Sequence, residues 1–182
     1  MGTIKTTNIE PIADNGTVTL GSSGDTFTIA SGVTQTIAVN TPAFSAYANT
    51  DQNNNSDNTW VKLAMNAEFY DTNSKYDVSN YRFTPTVAGK YIFGADVYID
   101  GNDTRDSVGL AFYKNGSKLF FVISDVDNTT ANSITATIDL DSDDYVELYG
   151  YADVANNSVW AMNMDGTTSN NRCYWYGYKL IT

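Results

Sequence analysis

With 182 residues, 13% of them aromatic, the chain carries enough apolar mass to bury a core as one domain, or as one domain with an arm. Its net charge of −11, with ten scattered Lys and Arg, argues against a nucleic-acid reader, which needs a clustered basic face, and suits a soluble surface. The lack of any histidine excludes Ser-His-Asp and Cys-His nucleophiles and Cys/His zinc sites, and the single Cys173 excludes an intrachain disulfide.

Residues 1–15 are polar, and no basic segment followed by an apolar one is present, so no signal peptide is expected. Three short pieces follow, at 17–20, 26–29 and 36–39, in which apolar residues alternate with Thr or Ala. Gly and Ser separate them, which is turn chemistry. Three such strands bury little alone. They form either a small meander packed on the main domain or an arm that completes its core elsewhere. On the second reading Ile4, Ile9, Val18, Leu20, Phe27 and Ile29 are the anchoring residues.

The main domain is expected over 41–182, with Thr41 and Pro42 at the boundary. Phe44, Ala46 and Ala48 alternate with Ser45, Tyr47 and Asn49 as a strand does. Residues 49–58 read as a polar loop, and Trp60, Leu63 and Met65 open the next apolar piece. Over 70–93 the pattern is strand, Pro/Gly corner, strand, with Tyr81 and Phe83 on one face and Arg82 on the other. A long strand covers 89–100. Another covers 108–114, Asn115 and Gly116 mark a hairpin, and 119–123 returns as its partner. Ile134, Ala136, Ile138 and Leu140 alternate, residues 141–144 form an acidic turn, and 145–151 and 174–181 are further strands. Glu, a good helix former, occurs only at 10, 68 and 147, so this is an all-β chain: an antiparallel sandwich or jelly roll.

Little in the chain reads as chemistry. No Gly-rich phosphate loop precedes a helix, and nothing places two carboxylates in an apolar cleft for glycoside cleavage. Oxygen-rich turns suit hard cations, which makes Asp141, Asp143 and Asp144 calcium candidates, although Asp and Asn also serve turns directly. Trp60 and Trp160 are candidates for stacking on a ligand such as a sugar ring, against the alternative of burial in the sandwich. No apolar run approaches the roughly 20 residues of a membrane span. The expected reading is no enzyme, no membrane insertion and no nucleic acid.

Six spaced residues carry a family likeness. Asp71, Tyr76, Phe83, Gly89, Tyr91 and Phe93 fall on the signature positions of the globular head of the complement first component. Met65 and Ala95 depart from it, standing where aromatics are usual. Residues 42–182 thus resemble that family, within the TNF-like jelly-roll superfamily. The resemblance implies a compact homotrimer about a threefold axis, with Tyr91, Phe93, Tyr149, Tyr151 and Tyr176 in the core or at the trimer seam.

The segment before the head is similar to the leading segment of structural proteins from marine tailed bacteriophages. Together the two resemblances imply a virion surface protein assembled in the host cytoplasm. Residues 1–40 would grip other virion proteins of capsid or tail, and the trimeric head would face solvent as a capsid decoration protein or short head fibre. The alternative is a receptor-binding tail fibre or tail-tip adhesin for host attachment, recognising a host glycan or protein.

Overall fold

A computed structural model describes residues 23–26, 40–101, 104–125, 130–163 and 172–180. The chain divides into two units, Met1–Ile37 and Ala38–Thr182. The anchoring candidates Ile4, Ile9, Val18, Leu20, Phe27 and Ile29 lie outside the described residues.

The second unit opens with β1 (Ala43–Tyr47), whose Phe44 and Ala46 are buried while Ser45 and Tyr47 face outward, as period-2 patterning requires. Next comes β2 (Gln52–Asn55), inside the run expected to be loop. Side-chain amides make a strand of it. Asn55 Nδ2 donates to the Gln52 carbonyl at 2.9 Å, Gln52 Nε2 donates to the Lys62 carbonyl at 3.0 Å, and Gln52 Oε1 accepts the Ala64 N–H at 2.8 Å. Polar side chains thus satisfy backbone groups that an apolar strand would leave to its neighbours.

Four short strands follow: β3 (Val61–Lys62), β4 (Ala67–Asp71), β5 (Tyr76–Asp77) and β6 (Arg82–Phe83). Tyr81 is not in strand, contrary to the alternation expected there. It sits at φ 53 at the end of a turn that Asp77 organises. Asp77 Oδ1 accepts the backbone N–H of Ser79 at 2.8 Å and of Asn80 at 3.1 Å, and those bonds hold the chain in the turn until Arg82.

Beyond the Pro85 corner, β7 (Gly89–Gly101) buries Tyr91, Phe93, Ala95, Val97 and Ile99 on one face. β8 (Arg105–Lys114) and β9 (Ser117–Asp125) form the hairpin expected at Asn115 and Gly116. Both turn residues take positive φ, 52 and 76, which the tight hairpin turn demands and Asn-Gly supplies at low cost. β10 (Thr130–Leu140), β11 (Val146–Val154), β12 (Trp160–Met162) and β13 (Tyr174–Lys179) complete the unit.

The strands build two sheets. The seven-stranded sheet runs β2-β12-β7-β13-β1-β4, with β10 on the other edge of β7. The six-stranded sheet runs β5-β6-β11-β8-β9, with β3 on β11. Every ladder among the described residues is antiparallel. This is the all-β jelly-roll sandwich the patterning predicts.

Phe44 is the hub of the core. Its ring stacks on Tyr76 at 4.9 Å and on Phe83 at 4.7 Å, and meets Trp175 edge-on at 4.7 Å. Offset and edge-on aromatic pairs add to the apolar burial of each ring. The residues of the 70–93 stretch therefore close onto the first strand of the head.

Candidate functional site

Among the described residues, two sheet faces and the exposed edge strands are what this head offers a partner. The two clefts described, of about 100 Å³ and 160 Å³, are well below the roughly 300 Å³ at which small-molecule pockets begin.

On the seven-stranded sheet, β13 turns Tyr174, Tyr176 and Tyr178 outward and Trp175 and Gly177 inward. Tyr47 on β1 stacks with the exposed Phe69 at 4.4 Å, and the Arg172 guanidinium lies 4.8 Å from the centre of the Tyr98 ring. A hydrogen bond with Asp96 raises the pKa of Tyr174, followed by burial. This face is tyrosine-rich, with Phe69 exposed beside Tyr47.

The outer face of the six-stranded sheet holds two clusters. In the first, Glu147 is buried on β11, where the Lys62 Nζ at 3.1 Å and an Arg82 nitrogen at 3.0 Å satisfy its carboxylate. Arg82 also covers the Tyr145 ring at 4.1 Å, and Tyr113 and Tyr149 stack at 3.8 Å beside it. In the second, Trp60 packs against Tyr151 at 5.1 Å and meets Phe121 edge-on at 6.2 Å. Tyr151 is held by a hydrogen bond from its hydroxyl to Asn58 Oδ1 at 2.8 Å. Gly109 lies beneath, where a Cβ would stand 3.1 Å from the Trp60 ring. The Lys118 ammonium sits 4.7 Å from the centres of both the Trp60 and the Phe121 rings.

The edge belongs to β9. Leu119, Phe120, Phe121 and Ile123 are all more than two-fifths exposed, on a strand with only one neighbour in its sheet among the described residues. Edge strands of soluble monomers carry charge or Pro as protection against pairing, and β9 carries only Lys118 and a terminal Asp125.

The candidates read from sequence divide between the core and the surface. Tyr91 and Phe93 are wholly buried between the sheets, whereas Tyr149, Tyr151 and Tyr176 lie on outer faces. Trp60 is on the surface cluster. Trp160 is not available to a ligand: it is 1% exposed, its indole N–H donates to the Ser56 carbonyl at 2.9 Å, and its ring fills the space left by Gly150. The acidic turn is closed by internal bonds. Asp144 accepts from Lys114 Nζ at 2.7 Å, from Asn115 Nδ2 at 2.6 Å and from the Asp141 N–H at 2.7 Å. The Lys114 ammonium, above all, holds the Asp144 carboxyl down to about 2. Asp141 and Asp143 are exposed, and no group of three metal-ligating side chains converges among the described residues. Cys173 is buried, and burial pushes its thiol up to about 11.

Phe121 and Lys118 were missed at the sequence level. The signal was present in the unbroken apolar run Leu119, Phe120, Phe121, Val122, Ile123: in a period-2 strand, such a run must turn part of itself outward.

Residues 43–167 match the family model of the C1q domain. The chain belongs to the C1q-domain family. The likeness read from Asp71, Tyr76, Phe83, Gly89, Tyr91 and Phe93 is thereby borne out. Among solved structures, the globular domain of zebrafish complement 1qA protein aligns with 77% of this chain and 98% of its own, at 18% identity and a TM-score of 0.52. Eiger TNF from S. frugiperda aligns with 76% of this chain and 92% of its own, at 11% identity and a TM-score of 0.56. Murine APRIL at pH 5.0 aligns with 76% and 98%, at 12% identity and 0.54. At these identities the structures establish the shared TNF-like fold and nothing further. Among curated proteins, the phage-like element PBSX protein XkdV of Bacillus subtilis (strain 168) is 30% identical over 100 residues. That match covers 50% of this chain and 15% of XkdV.

Proposed function

We propose that this C1q-family chain is a non-enzymatic, trimeric surface protein of a bacteriophage virion, with residues 1–40 anchored to the particle and the jelly-roll head facing solvent. On the particle it serves as a capsid decoration protein or short head fibre, assembled in the host cytoplasm. The observation that carries this reading is the joint one. A C1q head is found on a chain 30% identical over 100 residues to a protein of a phage-like element. One feature supports self-association: the face bearing Tyr174, Tyr176 and Tyr178 is a surface that a second and third copy would cover. Gold- or antibody-labelled protein seen on capsids by electron microscopy is the expected result. Particles bare of label, or a monomer in a sizing measurement, would overturn the location or the assembly respectively. Deleting residues 1–35 should release the protein from particles while the head still trimerises.

A second reading is a receptor-binding tail fibre or tail-tip adhesin. It is favoured by XkdV, in which the matched 15% is a small module of a much longer chain. On this reading the purified head blocks infection at saturating dose, and label falls on tails.

A further inference from the structure

We infer that Trp60, Phe121 and Lys118 form a binding platform for a carboxylated sugar, the ring stacking on the aromatics and the carboxylate pairing with the Lys118 ammonium. This deepens the reading of the head as a solvent-facing binding module. It is tested on purified protein, so a failed particle location and a failed sugar interaction are separate results.

Three observations converge. The first is geometric. Trp60 is laid against the sheet by the absence of a side chain at Gly109, where a Cβ would also stand 2.8 Å from the Val122 carbonyl. The ring is braced by Tyr151, which is itself tied to Asn58. A braced indole loses little freedom when a pyranose stacks on it. The second is exposure. Phe121, set edge-on to Trp60, is 57% exposed, an apolar area that nothing in the described chain covers.

The third concerns charge. The chain carries a net −11, and four of its ten Lys and Arg are held in ion pairs among the described residues. Lys62 and Arg82 pair with Glu147, Arg105 with Asp100, and Lys114 with Asp144. Lys118 pairs with no carboxylate among the described residues. Its ammonium rests instead equidistant from two aromatic centres, at 4.7 Å from each. A cation over aromatic faces at an exposed site is held weakly enough to swing toward an anion that enters. The site therefore presents what an acidic pyranose presents in complement: apolar faces for its C–H surface and one positive charge for its carboxylate. A neutral sugar would use the rings and leave the ammonium idle. A phosphate or sulfate would use the charge and leave the rings idle.

Intrinsic fluorescence tests this directly. The chain has three tryptophans, and Trp160 and Trp175 are buried at 1% and 0% exposure, so a ligand-dependent change reports Trp60. The full chain is titrated with an oligoglucuronate, with the same oligosaccharide after reduction of its carboxyls, and with an oligoglutamate peptide. Saturable binding of the oligoglucuronate, about tenfold weaker binding of the reduced form and none of the peptide is the expected result. Lys118→Met keeps the stem and should erase the preference for the carboxylated form. Phe121→Ser should abolish binding by a second readout, calorimetry, while leaving the thermal midpoint in place. Absence of oligoglucuronate binding overturns the site. Equal binding of the reduced sugar, or of the peptide, overturns the assignment of the ligand class.

Discussion

The Tyr176 ring closes over Gly94, its register partner on the neighbouring strand, so tightly that a Cβ there would stand 2.5 Å from it. One residue along, the relation inverts across the sheet: Phe93 covers Gly177 from the core side, again at 2.5 Å. Two glycines on paired strands thus accept two rings on opposite faces. Gly94→Ala meets the mobile end of an outward tyrosine. It should leave stability within about 1 kcal/mol while displacing Tyr176 and weakening self-association. Gly177→Ala meets Phe93 and Phe44, which cannot move, and should cost about 1–3 kcal/mol. Urea unfolding and sizing of both variants separate the two effects.

Phe44→Ala removes the ring on which Tyr76, Phe83 and Trp175 converge, and should cost about 3–5 kcal/mol. Phe69→Ala removes a mostly exposed ring that stacks on Tyr47, and should cost no more than about 1 kcal/mol, measured by the same denaturation.

Glu147→Gln leaves Lys62 and Arg82 facing a neutral amide. Both cations retain about a third of their exposure, so water compensates part of the loss. The expected cost is about 1–2 kcal/mol, below that of severing a fully buried pair. A double-mutant cycle with Lys62→Met measures the coupling.

Acid should act through the turn at 141–144. The Asp144 carboxyl is lowered from 3.8 to about 2, chiefly by the bond from Lys114. A depressed carboxyl contributes stability above its unfolded pKa, and that contribution is lost as pH falls through the folded value. Stability should therefore decline between about pH 4 and pH 2. Lys114→Met should flatten that part of the profile. Asp77, lowered mainly by its bond with Asn80, adds to the same decline and remains in the variant.

Cys173 should resist thiol reagents while the head is folded, since its thiol is both buried and pushed up to about 11. Labelling should follow unfolding, giving a readout of global opening. Rapid labelling in native buffer would show that this end of β13 opens locally.

Much of this architecture is legible in the residues. Alternation at Ile134, Ala136, Ile138 and Leu140, and at Tyr91, Phe93 and Ala95, identifies strands with one buried face. Asn115 and Gly116 set the hairpin because few other pairs accept positive φ twice. What escaped depends on distant partners. Gln52 and Asn55 form strand because their amides reach backbone groups at 52, 62 and 64, which no local propensity reports. Trp160 is buried because Gly150, ten residues earlier, leaves it room. The platform at Trp60 is assembled from three separate segments by the pairing of Gly109 with Ile123 and with Tyr151.

Strand β1 is flanked by β13 and β4, and Ala43 lies opposite Tyr178. The opening strand therefore waits for the closing one, and the sheet's centre is sealed only when residue 178 is available. Such non-local closure slows folding and keeps a nascent head open during synthesis. The same adjacency places the two strand ends one inter-strand spacing apart, about 5 Å. A short bridge from 180 to 42, with the chain reopened between Asn115 and Gly116, would preserve each sheet ladder in a rewired polypeptide.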